Sequence, residues 1–429
     1  MALHTSGSNI INSYGSVVYL RGIGRSGDLQ SASGMWSAPG EPVFTWDQKW
    51  QPLSENIPRI DATFRSYRDY WHVNMIRLLI PVDWWWMDTV YPQDYQPTAP
   101  NNEPISYRNY IETVITRAAK YGIYVDLCPY SAVNTYLYSG SSEGEPGFWI
   151  PGTASYNFMQ TVTVDAGKSE SQFWKEWWTS VVKQLGRYAN VIFEMWNEPG
   201  HEKEPFFNYM VESYSTIRDL KNQNLIFMQW HPGIVPDYHT LTWAPELYNQ
   251  LKQSIGKDPV NLVFTTHPYR HSPYPNLQWA YSYSGVQSQL LNESMVPQTR
   301  NSNFTVPLLF NELGVLDSEV TYDYWQHPYE EFGEENLTVS ERREREHLFW
   351  DAILRNAKEL GIGVCVYYWM QDSAAQEYGY WGESIISSDI WTGSTPTPNY
   401  AGKVFINYGM NVFQTYFSRP YWSRILPTI

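Results

Sequence analysis

Two segments of the chain end an apolar run in an acidic residue. Val191-Ile192-Phe193-Glu194-Met195-Trp196 leads into Asn197-Glu198-Pro199, and Val306-Pro307-Leu308-Leu309-Phe310 leads into Asn311-Glu312-Leu313-Gly314. Apolar runs of that length read as buried strands, and the proline after Glu198 stops the first of them. Glu198 and Glu312 would then stand at strand ends, where a barrel of parallel strands presents its reactive groups. Two carboxyl groups facing across a gap can divide two jobs. One stays neutral and gives a proton while the other stays ionised and attacks, provided their surroundings push the two pKa values apart. Cleavage of a glycosidic bond requires that division. A solvated or salt-bridged strand end is the ordinary explanation for one such Glu, but it explains two in register poorly.

A competing motif is Gly22-Ile23-Gly24-Arg25-Ser26-Gly27, which has GxGxxG spacing after an apolar run. A dinucleotide site needs a helix to begin among the glycines and an acidic residue closing the next strand. Here Asp28-Leu29-Gln30-Ser31-Ala32-Ser33-Gly34 and then Pro39-Gly40 follow, which is loop chemistry. A nicotinamide-dependent dehydrogenase therefore rests on the spacing alone. None of the 9 His falls in an HExxH pattern, so no metal and no cofactor is expected.

The elements that must position the carboxyls follow a βα rhythm, a short apolar run, a long loop and an amphipathic helix, as in a parallel sheet or barrel. Eight strands are expected: Val17 to Gly22, Met75 to Pro81, Ile123 to Cys128, Val191 to Trp196, Leu225 to Trp230, Leu262 to Thr266, Pro307 to Asn311 and Gly363 to Trp369. Between Phe173 and Tyr188 the series Phe173, Trp177, Val181, Leu185 and Trp174, Trp178, Val182 keep i, i+4 spacing, so one broad face should pack on the sheet. Thr338 and Glu341 have capping-box spacing, Leu348, Ile353, Leu354, Ala357 and Leu360 suggest the buried stripe, and Gly361 suits the C-terminal cap. Ile10 to Val18 read as a small hairpin closing the barrel floor, to which segment 1–16 is assigned, and a final helix is expected over 400–417. No linker divides the 429 residues, so one domain over 1–429 is expected. A (βα)8 barrel takes about 250 residues, which leaves roughly 180 for insertions in its βα loops.

Composition narrows the partners. The net charge of -15 and the lack of clustered Lys and Arg argue against nucleic acid or an anionic membrane. No apolar run is long enough to span a bilayer, and the N-terminus lacks a basic region followed by an apolar stretch, so a soluble chain without a visible signal peptide is expected. Two Cys, in separate apolar runs, build no disulfide framework. Aromatics make up 17% of the residues, as many as the charged ones. A surface built from Tyr, Trp and neutral polar residues suits stacking on neutral sugars, and aromatic packing in a large core explains the same numbers.

With these residues in hand, the chain resembles the family 5 glycoside hydrolases, the cellulase-like branch of the retaining (βα)8 barrels. The likeness runs from Leu20-Arg21-Gly22 to Trp369, and its most specific element is Asn197-Glu198-Pro199 after an apolar strand. It implies a TIM (βα)8 barrel with long βα-loop insertions. Glu198 would be the general acid/base, Asn197 the group that holds the sugar 2-hydroxyl, and Glu312 the nucleophile. Met75-Ile76-Arg77-Leu78 resembles the second strand, so Arg77 would support the nucleophile; a fixed cation does keep a carboxylate ionised. Thr266-His267-Pro268-Tyr269 resembles the His-x-Tyr after strand six, with Tyr269 donating to Glu312 and His267 beside the substrate or behind it. Val366-Tyr367-Tyr368-Trp369 resembles strand eight, whose Trp lies under the cleaved sugar. Two positions depart from the pattern. The third strand commonly ends in His, whereas here Cys128 runs into Pro129-Tyr130, and Asn311 stands where glycine is common.

Trp84, Trp85 and Trp86 after strand two, and Tyr130 with the insertion that follows it, are candidates to line sugar subsites, although at least one of the adjacent Trp should instead staple the insertion to the barrel wall. The resemblance implies a retaining endo-β-1,4-glycanase on a neutral polysaccharide, most directly cellulose or β-glucan, working outside the cell. A β-mannanase or mixed-linkage glucanase would use the same machinery. A non-catalytic carbohydrate-binding barrel is the reading of another class.

Overall fold

The computed structural model describes residues 2–25, 53–87, 106–130, 169–197, 203–229, 243–268, 281–288, 290–291, 295–301, 303–314, 337–369, 386–388, 397–398 and 402–407. In chain order the elements are β1 (Leu3–Ser6), β2 (Asn9–Asn12), β3 (Arg21–Arg25), α1 (Leu53–Ser66) with a π-helical turn at Tyr67–Trp71, β4 (Met75–Pro81), α2 (Val82–Met87) and α3 (Tyr107–Lys120). Next come β5 (Tyr124–Tyr130), α4 (Glu170–Leu185), β6 (Val191–Glu194), α5 (Lys203–Asp219), β7 (Ile226–Gln229), α6 (Ala244–Ile255) and β8 (Leu262–Thr266). The series ends with α7 (Tyr283–Ser288), α8 (Met295–Thr299), β9 (Leu308–Leu313), α9 (Val339–Glu359), β10 (Gly363–Trp369) and the short pair β11 (Ile386–Ser388) and β12 (Thr397–Pro398). Strands β3 to β10 close a barrel in sequence order, β10 returning to β3, and every pairing is parallel. This is a TIM (βα)8 barrel.

Three of the eight expected strands have the expected ends, at β4, β8 and β10. The first does not. Val17 bridges Ile11 in antiparallel fashion and the Val18 N–H donates to the Ile10 carbonyl at 2.8 Å. That stretch spends its hydrogen bonds on the floor hairpin, so the barrel strand starts only at Arg21. The hairpin itself is β1–β2, earlier than Ile10 to Val18, with its turn at Gly7, whose φ of 56° suits glycine. The expected final helix is seen at 402–407; the remainder of 400–417 lies outside the described residues. Gly22 and Gly24 belong to β3, and Gly22 faces Met75 and Cys365, so Gly22 serves barrel packing.

Helix faces follow the same logic. Phe173, Trp174, Trp177, Trp178, Val181, Val182 and Leu185 of α4 are all buried. The capping box of Thr338 and Glu341 opens α9, and Gly361 takes a left-handed φ of 66° after it. Leu348 departs from the expected stripe: it is exposed. Phe349, Trp350, Ile353 and Ala357 are buried and define the inward face, and Leu348 falls about 100° away from Phe349 around the helix.

Alternation along the strands builds the interior in layers. The lowest layer is apolar: Met75, Tyr124, Ile192, Phe227, Val263, Leu309 and Cys365 cluster with Leu3 and Ile10 of the hairpin, which plugs the floor. Two residues further along four of these strands stand Arg77, Asp126, Glu194 and Asn311, all buried. An apolar plug thus lies directly beneath a charged layer. Space is tight where β10 enters, because a Cβ on Gly363 would lie 2.5 Å from Leu309 Cδ1 and 2.8 Å from the Leu20 carbonyl oxygen. Gly363→Ala should therefore destabilise the fold by about 1–3 kcal/mol, the usual cost of overpacking, read as a lower midpoint in chemical denaturation.

Candidate active site

Arg77 occupies the centre of the charged layer because β4 places it inward at mid-strand, beside Asp126 of β5 in register. Its Nε and Nη2 donate to the two oxygens of Glu194 at 2.7 and 2.8 Å, a two-pronged geometry only a guanidinium can make. Nη1 donates to Glu312 Oε2. Nη2 also reaches Asn197 Oδ1 at 2.7 Å and Cys128 Sγ at 3.4 Å. Burial alone would disfavour the cation, but the charges facing it, Glu194 foremost, outweigh burial and raise its pKa well above the ordinary arginine value.

Glu312 differs from the rest of the layer in retaining 8% exposure, against 0% for Glu194 and Asn311. Among the described residues it is the least buried carboxylate of the layer. Asn311 and Glu312 are adjacent, yet both point toward this network: Asn311 Nδ2 donates to Glu194 Oε1 at 2.8 Å. Strict alternation forbids this, and the register explains it. Phe310 pairs with Val364 but Leu313 pairs with Val366, so β9 carries one extra residue there, a bulge that re-aims Glu312. His267 Nε2 stands 3.6 Å from Glu312 Oε2, close to it but beyond direct hydrogen bonding.

The segment carrying Asn197 is held from behind. Tyr209 Oη donates to the Met195 carbonyl at 2.6 Å, Trp178 Nε1 approaches that hydroxyl at 3.4 Å, and Trp174 packs edge-on against Trp196 with centroids 5.3 Å apart. The Asn197 N–H donates to the Pro129 carbonyl at 3.3 Å. Because Asn197 Oδ1 accepts from Arg77, its amide nitrogen is turned away from that cation.

The structure thus brings together Arg77, Asn197, His267 and Glu312. Glu198 and Tyr269 lie outside the described residues, as do the side chains of Trp369, Tyr130 and Trp84 and the aromatic insertion after Tyr130. Trp85 is a correction. The Trp cluster sits on helix α2 and not on a loop, and Trp85 is fully buried with Nε1 donating to Ser180 Oγ at 3.1 Å. A ring with no exposed face cannot stack on a sugar; it staples α2 to α4. Trp86 is partly buried, 5.0 Å from Phe173 between ring centroids.

Sequence reasoning missed Glu194, Asp126 and the reason for Asn311. The signal was there, since an acidic residue inside an apolar strand run is rarely buried unless paired. The third-strand group that touches Arg77 is Cys128. Both Cys128 and Cys365 are free and buried, and burial pushes both thiols well above the ordinary cysteine value, which makes them unreactive. His267 and His271 are four apart in sequence; His267 directly follows β8, and His271 lies outside the described residues. Among the described residues no three His, Cys, Asp or Glu side chains are grouped to hold a metal ion.

The sequence matches the model of the Cellulase family, glycosyl hydrolase family 5, over residues 36–358. The chain belongs to glycoside hydrolase family 5. The fold agrees. The hyperthermophilic endocellulase from the archaeon Pyrococcus horikoshii is 16% identical, with a TM-score of 0.55 over 96% of this chain and 98% of that one. The catalytic domain of the major endoglucanase from Xanthomonas campestris pv. campestris is 14% identical, with a TM-score of 0.53 over 94% and 99%. No curated protein matches in sequence. For a family 5 glycoside hydrolase the substrate class is polysaccharide.

Arg77→Met would leave Glu194 and Glu312 in the layer without their cation. The expected cost is about 3–5 kcal/mol, as for other buried pairs robbed of one partner, measured by chemical denaturation. Arg77→Lys should recover only part of it, because an ammonium cannot bridge both oxygens of Glu194 and still reach Glu312.

Proposed function

We propose that the protein is a retaining endo-β-1,4-glycanase acting on a neutral β-glucan such as cellulose, with Glu312 as nucleophile and Glu198 as general acid/base. The observation that carries the reading is Glu312 itself, the least buried carboxylate of the layer among the described residues, ion-paired to the buried Arg77. A nucleophile must be anionic and fixed in direction, and Arg77 supplies both conditions. Asn197 precedes Glu198 and is pinned by the same guanidinium, so the amide for the sugar 2-hydroxyl and the attacking carboxylate share one support.

In the first step Glu312 attacks the anomeric carbon while Glu198 protonates the departing oxygen, giving a glycosyl ester on Glu312. In the second, Glu198 takes a proton from water, which attacks the same carbon and releases Glu312. Net charge favours a neutral polymer: with 15 more acidic than basic side chains, the protein would repel an acidic polysaccharide. Polymers of this size are met outside the cell, and we place the enzyme there.

Glu312→Gly should abolish turnover and be partly restored by azide with an α-glycosyl azide as product. Glu198→Ala should retain activity on substrates with good leaving groups and give the β-azide. Exchange of the two anomers between the variants would mean that the roles are reversed. Chain lengths released from soluble β-glucan and mannan test the substrate and the endo mode; binding without turnover on every polymer would leave a carbohydrate-binding barrel.

A further inference from the structure

Asp126 is fully buried in the charged layer, next to Arg77 in the sheet, yet no N–H of Arg77 reaches it. Those donors go to Glu194, Glu312, Asn197 and Cys128. Among the described residues no donor meets Asp126 Oδ1 or Oδ2. The carboxyl of Glu194, buried in the same layer on the neighbouring strand β6, interacts with it, and two carboxylates cannot hydrogen-bond each other. With a proton between them they can.

We propose that Asp126 and Glu194 hold a single proton beside Arg77, Asp126 as the neutral donor and Glu194 as the anion, and that this pair positions Arg77 against Glu312. The asymmetry of partners decides which group keeps the proton. Glu194 accepts two bonds from Arg77 and one from Asn311, whereas among the described residues Asp126 is offered none. Burial first, and then the negative charge of Glu194, raise the Asp126 pKa well above the usual carboxyl range, while Arg77 opposes this and is outweighed. Among the described residues the other titratable groups near the pair are the neutral thiols of Cys128 and Cys365, with Glu312 on the far side of Arg77.

The arrangement has a consequence for Arg77. With Asp126 neutral, one cation faces two anions, Glu194 and Glu312, and its planar fork is locked on Glu194 with Nη1 left for Glu312. An ionised Asp126, adjacent in register, would compete for the same guanidinium and draw it off Glu312. Asp126 and Glu194 are therefore positioning residues acting through Arg77. The effect on catalysis rests on the reading of Glu312 as nucleophile; the shared proton does not.

The test uses the intact protein, D126N and D126A. Infrared difference spectra of wild type minus D126N at neutral pH should show the carbonyl band of a neutral carboxylic acid, which the subtraction separates from any proton on Glu198. Thermal melts against pH give a second reading. In the unfolded chain Asp126 ionises near the ordinary value of about 3.9, so above that pH folding must take up a proton. The stability contributed by the raised folded-state pKa is complete below that value and is lost as pH rises. The amide introduced by D126N binds no proton, so the Tm of that variant should gain on wild type steadily from pH 4 to pH 8. D126A, which leaves Glu194 without this donor, should lower kcat roughly tenfold or more, as small displacements of reacting groups do, with KM little changed. D126N, whose amide can still donate to Glu194, should recover most of that loss. A missing carbonyl band with a pH-independent Tm difference would overturn the proton assignment, and a kcat in D126N as low as in D126A would overturn the positioning role. Inactivity of wild type on every β-glycan would strike the reading of Glu312 and leave band and melts to decide on the proton.

Discussion

One buried guanidinium organises the reactive end of this barrel. Arg77 is held by Glu194 through two hydrogen bonds and in turn holds Glu312 and Asn197. Burying such charges costs several kcal/mol per ion, and their mutual attraction repays this only when the remaining hydrogen-bonding capacity is also met. Here it is largely met, by Asn311 on Glu194 and by Asn197 and Cys128 on Arg77. The value of the network lies in direction: a carboxylate ion-paired to a fixed guanidinium is held in one orientation.

The backbone makes that network possible. Parallel register brings Arg77 level with Asp126, and strand alternation puts an apolar layer, plugged by the β1–β2 hairpin, underneath. That layer keeps water from the charges from below, which strengthens every electrostatic contact above it. The bulge in β9 is an irregularity the site needs, because without it Asn311 and Glu312 would face opposite sides of the sheet. The aromatic face of α4 reaches through Trp178 and Trp174 to Tyr209 and Trp196, fixing the end of β6 from outside the barrel.

Much of this was legible in the sequence. Apolar runs located the barrel strands, i, i+4 spacing located the buried face of α4, and the ends of two of those runs pointed to Asn197 and Glu312, which the guanidinium of Arg77 joins. What was not legible depended on register or on competition for hydrogen bonds. Val17 and Val18 have strand-like side chains, but the floor hairpin claims their backbone. Leu348 is apolar on a helix whose face is set by larger neighbours. Trp85 reads equally as a sugar platform or a staple until its indole is found on Ser180. Asn311 looked out of place beside Glu312 because its partner, Glu194, lies 117 residues away, and no local pattern encodes that contact.

The claim on which the mechanism stands is that Glu312, anchored by Arg77, forms a covalent bond to the sugar. Incubation with an activated 2-deoxy-2-fluoro-β-cellobioside, whose glycosyl ester forms faster than it hydrolyses, followed by mass spectrometry of the digested protein, tests it directly. The account predicts one sugar per chain, on the peptide that contains Glu312. A label on the Glu198 peptide, or none while the reagent is turned over with inversion, would contradict it.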